Sequence, residues 1–254
     1  MSKRDTTGGL RWHWRAFLQR RRWAATSAQI ADWLDGTQPA STQLLLIGGS
    51  AGWMMSSRWL QRFSEIILVD IDPWAPRLFR VNHGRSLRAS GTALRFIEAD
   101  GLQQLEALLA QFPQASLFFD NVLGQHLYRV REIERAEAEL DRIALRLHGR
   151  DWGSVHDLLS GPIAHDLPAA VMPLCQSAER AESPPEGGVH YRLNRRLTSL
   201  DALGQQLLQG VDAEGIWQDH CTGVVFPNGT AVQFIPWSFK PRYCHWLELG
   251  WIRS

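Results

Sequence analysis

Four short apolar runs separated by helix-like segments constrain this chain more than any other feature. "QLLLI" begins at Gln43, "EIILVD" at Glu65, "ALRFIEA" at Ala93 and "SLFFDN" at Ser116. Between them lie "WMMSSRWLQRF", "PWAPRLFRVNH" and "LQQLEALLAQF", which read as helices. Apolar strands alternating with helices pair in parallel, so the order predicts an α/β fold with a doubly wound sheet.

The flanking sequence extends this plan. Residues 9–23 place Leu10, Trp14, Phe17 and Leu18 at helical spacing among five arginines, and a second helix is expected from a Thr26/Ser27 cap to Gly36. A long helix is expected from about Tyr128 to Leu147, followed by a fifth strand, "WGSVHDLLSG". Residues 161–197 carry five prolines, including the breaker "PPEGG", which predicts an irregular lid or substrate segment. After a helix over "SLDALGQQLLQ", the stretches "GIWQDHCTGVVF", "AVQFIPWSF" and "YCHWLELGW" read as strands, with an Asn-Gly turn between the first two. The sheet is therefore mostly parallel with antiparallel C-terminal strands. The expected organisation is an N-terminal helical extension over 1–42 and a Rossmann-like domain over 43–254.

Ligands of open parallel sheets sit outside the carboxyl ends of the strands, so the residues at which strands stop carry the information. The first strand stops in Gly48-Gly49-Ser50-Ala51-Gly52, where small residues let a ligand approach the main chain. The second stops at Asp70, 22 residues beyond Gly48, a spacing suited to a carboxylate that accepts from both ribose hydroxyls. The third stops at Asp100-Gly101 and the fourth at Asp120-Asn121. No lysine or arginine accompanies the glycine turn to neutralise phosphates, and an acid-rich rim favours a cationic ligand.

In this order, "LLLIGGSAG", "ILVDIDP", "FIEADGL" and "LFFDNVLG" resemble the class I S-adenosylmethionine-dependent methyltransferases over about residues 43–160. The resemblance implies S-adenosylmethionine as cofactor. Gly48, Gly49, Ser50 and Gly52 match the loop around its methionine part, Asp70 and Ile71 the ribose edge, and Asp100 with Gly101 the adenine side. Asp120 and Asn121 match the position facing the transferred methyl. Leu46 and Ser50 depart from that family's usual acid and middle glycine.

Methyl transfer requires in-line positioning, and a general base where the acceptor is a hydroxyl or ammonium. The candidates beyond the fourth and fifth strands are Asn121, His126, His156 and Asp157. Three rival readings stay open. The "IGGSAG…VDIDP" pairing is also similar to aminopropyltransferases of polyamine synthesis, which use a decarboxylated donor on the same fold. Gly48-x-Ser50-x-Gly52 also satisfies a serine-hydrolase pattern with Ser50 as nucleophile and a downstream histidine such as His156, His190, His220 or His245. A catalytically silent cofactor-binding module is the third.

Composition narrows partners without naming one. A net charge of +1 disfavours nucleic acid, leaving a small-molecule or peptide/protein acceptor. No apolar run reaches the roughly 20 residues that span a bilayer, and a cytoplasmic location is expected. Cys175, Cys221 and Cys244 form no CxxC; His220-Cys221 and Cys244-His245 are the pairs closest to metal-ligand spacing, and no metal is expected.

Overall fold

The computed structural model describes residues 9–185 and 187–253. They belong to two compact units, residues 1–122 with 149–153 and 253–254, and residues 123–148 with 154–252.

The first unit opens with α1 (Leu10–Gly36), one continuous helix where two were expected. Thr26 is buried inside it and caps nothing. The buried stripe also differs from the expected one. His13, Ala16, Trp23, Thr26, Ile30 and Leu34 face inward, whereas Leu10, Trp14, Phe17 and Leu18 are exposed. The reason is polar: His13 is held at a buried carboxylate, which fixes the phase of the whole helix.

β1 (Gln43–Ile47), α2 (Ser57–Leu60), β2 (Glu65–Asp70), α3 (Ala75–Ser90), β3 (Ala93–Glu98), α4 (Leu105–Gln111) and β4 (Ser116–Asp120) follow. The strand order is β3-β2-β1-β4 and every pair is parallel. β1, β2 and β4 are apolar and buried, and β3 is more exposed. The chain steps from β1 to β2 and β3 on one side, then returns to place β4 on the other. That reversal makes the carboxyl ends of β1 and β4 the switch point where a crevice opens. α2 is far shorter than the expected helix, because Ser56 caps it late, accepting from Trp59 N–H, and Gly52 holds the preceding residues in a turn.

The second unit begins with α5 (His126–Val130) and α6 (Ile133–Arg146) instead of one long helix; Arg131 adopts φ 66° and breaks it. β5 (Trp152–Pro162) takes its first two residues from the first unit. The segment expected to be irregular contains a 3₁₀ turn at Met172–Leu174, β6 (Gln176–Ala181) and β7 (His190–Leu193), and β8 (Arg196–Ser199) begins inside it. α7 (Leu200–Gly210) is capped by Ser199. "GIWQDHCTGVVF" supplies only a two-residue strand, β9 (Gln218–Asp219), so the Asn-Gly turn closes no hairpin. β10 (Ala231–Lys240) and β11 (Tyr243–Ile252) are long and antiparallel. Within this unit the order is β5-β11-β10-β6-β7-β8, with β9 on β5. Among the described residues no helix is long and apolar enough to cross a membrane.

Candidate functional site

The turn after β1 alternates left-handed and ordinary backbone. Gly48, Ser50 and Gly52 have φ of +73°, +47° and +66°. A Cβ on Gly48 would lie 3.0 Å from Val122 and 3.2 Å from the Asp120 carbonyl, so a side chain there would crowd the chain leaving β4. Gly49 has a different reason to be glycine: a Cβ would enter the space of Leu46 and Leu68. At Gly52 it would lie 2.5 Å from His83 Nε2.

His83 secures the far side of the turn. Its Nε2 donates to Gly52 O (2.9 Å), so Nδ1 accepts from the Ser57 hydroxyl (2.7 Å). Burial lowers its pKa, which keeps the ring neutral in this arrangement. Asn82 donates to Ala51 O at 2.8 Å.

Asp70 ties this turn to the end of β2. Ser50 N–H donates to its Oδ2 and Asp72 N–H to its Oδ1, each at 2.8 Å. A carboxylate offers about four lone-pair sites, so these bonds leave one on each oxygen, enough for two vicinal hydroxyls. Burial raises the Asp70 pKa against the lowering effect of the two backbone donors. Asp120, half-buried at the end of β4, has its pKa pushed up to about 7, by burial first and by the Asp70 charge second. The Asp70 charge thus opposes ionisation of the neighbouring Asp120 carboxyl.

Asp100 accepts from Leu102 N–H (3.1 Å) and Gln103 N–H (3.2 Å), shaping the turn after β3. Gly101 packs on β1, where a Cβ would run into Ile47. Ile71 and Trp74 are exposed beside the Asp70 end. Asn121 follows in a left-handed conformation at φ 55°. The Ser50 hydroxyl is buried with no hydrogen-bond partner among the described residues, so no histidine or carboxylate activates it as a nucleophile.

Two participants were not foreseen. Asp72 is 4% exposed and accepts from Gly9 N–H (2.7 Å) and Trp74 N–H (2.9 Å), with His13 Nε2 at 2.9 Å. Trp53 Nε1 donates to His13 Nδ1 (3.3 Å), which puts the His13 proton on Nε2, toward Asp72. The N-terminal helix is thereby anchored two residues from Asp70. The second acid of "VDIDP" was the available signal.

The remaining predicted residues lie in the second unit. His126 Nε2 is 2.9 Å from Glu139, and its Nδ1 is buried with no hydrogen-bond partner among the described residues. His156 is fully buried, with Nδ1 2.9 Å from Ser154 Oγ and Nε2 3.2 Å from Glu248 Oε2, so both nitrogens are engaged. Glu248 also accepts from the Tyr191 hydroxyl (2.9 Å), whose pKa burial raises well above its ordinary value. Asp157 lies elsewhere, with Oδ1 2.9 Å from His245 Nδ1. Burial pushes the thiol pKa of Cys221 to about 11 and of Cys244 to about 12.

No family model and no curated protein matches the chain. Among solved structures it is similar to magnesium protoporphyrin IX methyltransferase (ChlM) from Synechocystis PCC 6803 with bound SAH. That likeness has 15% identity and a TM-score of 0.46, over 96% of this chain and 93% of the other. The methyltransferase domain of bacterial CtHen1-C gives 9% identity and a TM-score of 0.40 over 93% and 100% of the two chains. The N-terminal domain of EvdMO1 with SAH bound gives 13% and 0.39 over 91% and 81%.

Proposed function

We propose that this protein is an S-adenosylmethionine-dependent methyltransferase acting on a nitrogen or oxygen of a small molecule or a peptide/protein. One observation carries the reading: a glycine turn at the switch point of a parallel sheet donates its Ser50 N–H to Asp70, whose carboxylate keeps acceptor capacity on both oxygens. Gly48 and Gly52 would admit the methionine part, Asp70 with Ile71 the ribose, and Asp100 with Gly101 the adenine.

The donor set suits a sulfonium better than a phosphate. Burial and then the Asp70 charge raise the cost of ionising Asp120, and a fixed positive charge nearby offsets it. When bound, the donor supplies an electrophilic methyl group. The chain supplies position, and at Asp120 a carboxyl whose pKa of about 7 suits proton exchange near neutrality. We place residues 43–254 in the catalytic domain, with 1–42 as its helical extension and 161–197 as its lid or substrate segment. Variants of Asn121, His126, His156 and Asp157, compared by pH–rate profile, will identify any group that takes a proton from the acceptor.

Titration calorimetry of the full chain with S-adenosylmethionine is the direct test. Binding should be lost in Asp70→Ala with the circular dichroism spectrum retained. Preference for the decarboxylated donor would replace methyl transfer by aminopropyl transfer. Failure of the wild-type chain to bind either donor would refute the reading.

A further inference from the structure

We infer that Asp157, His220 and His245 form a binding site for a first-row divalent transition-metal ion. The three residues come from different elements of the second unit: Asp157 from β5, His220 from the residue after β9, and His245 from β11. One ligand atom from each lies within 4.8 Å of the others, and all three residues are buried. Nitrogen and oxygen ligands sit roughly 2.0–2.2 Å from such an ion, so in tetrahedral geometry they lie about 3.4 Å from one another. Closing the set takes side-chain shifts of up to about an ångström, within reach of rotamer adjustment.

The surrounding bonds orient the ligands as a metal site requires. His220 Nδ1 donates to Gly124 O (2.8 Å), which places the lone pair on Nε2. That Nε2 lies 2.9 Å from Ser160 Oγ, and Ser160 lies 3.5 Å from the Tyr243 hydroxyl. The Asp157–His245 contact of 2.9 Å is a hydrogen bond in the metal-free chain. On binding, the ion takes the place of that proton between Oδ1 and Nδ1, and the neutral imidazole carries its proton on Nε2.

The shell around these ligands is aromatic. Ring centroids of Trp237, Phe239 and Tyr243 lie 5.1, 4.8 and 5.5 Å from His245, and Tyr128 meets His220 edge-on at 5.5 Å. Such a shell limits water and strengthens the attraction between ion and carboxylate. Two imidazoles with one carboxylate select zinc or iron over magnesium or calcium. Three protein ligands leave a position beside Ser160 for water or a substrate oxygen, the pattern of a reactive centre rather than a structural clamp.

The test uses the untagged full-length chain, stripped with a chelator and titrated with Zn²⁺ by calorimetry and with Co²⁺ by visible absorption. About one ion per chain should bind, with cobalt showing the bands of a low-coordinate nitrogen and oxygen site. Asp157→Asn, nearly isosteric, should weaken binding tenfold or more, and His220→Ala and His245→Ala should abolish it. Zn²⁺ should raise the melting temperature of the wild type and not of the variants, a readout that also reports whether each variant folds. Absence of stoichiometric binding, or binding unchanged in Asp157→Asn, would overturn the inference. No methyl donor is present, so the outcome is independent of the proposed transferase activity.

Discussion

Asp120→Asn should stabilise the protein, and only above a defined pH. In the folded chain the Asp120 pKa lies at about 7 against an ordinary 3.8, so between these values the folded state holds a proton that the unfolded state has released. Stability contributed by a raised acid is present below about pH 4 and falls as pH rises to about 7. At roughly 1.4 kcal/mol per pH unit, the rise sets an upper bound of about 4 kcal/mol on the penalty above pH 7. Asparagine cannot ionise and escapes it. Urea unfolding of both proteins at pH 4.5, 6 and 8 tests this, because subtracting one from the other removes every other titrating group. The stability advantage of the variant should grow by a few kcal/mol across the series. An advantage independent of pH would refute the claim that desolvation and the Asp70 charge hold this carboxyl protonated. The same variant should bind the methyl donor less well, since the acid tolerated at this cost is the one proposed to face the transferred methyl.

Gly101→Ala should lose about 1–3 kcal/mol in urea unfolding, because its methyl runs into Ile47 at the end of β1. Gly52→Ala combines a left-handed φ with a methyl 2.5 Å from His83, and should weaken donor binding about tenfold by calorimetry while the far-ultraviolet spectrum is kept. His13→Ala leaves the buried Asp72 carboxylate short of a partner and should cost about 3 kcal/mol. Much of that loss should be recovered when Asp72→Asn is added. Equal losses in the single and double variants would show that the pair does not couple α1 to the site.

The parallel half of the fold was legible because β1, β2 and β4 are largely apolar and the four strands end at or just before a glycine or an acid. The parts that were not legible obey tertiary terms absent from local pattern. β6, "QSAERA", has little intrinsic preference for extended structure and is a strand because β10 and β7 pair with it on either side. The opposite holds for "GIWQDHCTGVVF", rich in β-forming residues and almost strandless. There His220 bonds to Gly124 O, Thr222 to Asp157 O, and Cys221 takes φ 62°, so side chains and backbone are committed to irregular partners. In α1, exposed Trp14 and Phe17 look like core in a periodicity plot, but the buried His13 sets the phase.

The acids at the strand ends illustrate the same division at the candidate site. Their positions could be read from sequence, because a strand end is a local event. Their state could not: the pKa of Asp120 depends first on burial and then on Asp70, fifty residues earlier, being brought to the same edge of the sheet by two parallel pairings through β1. His156 and Asp157 make the point within one dipeptide. Adjacent in sequence, they take separate partners on β11, Glu248 for the histidine and His245 for the aspartate. The first pairing closes on Tyr191 and consumes both histidine nitrogens, whereas the second opens toward His220 and Ser160. A dipeptide that reads as one candidate therefore carries two separate pairings, and they lead to different neighbours.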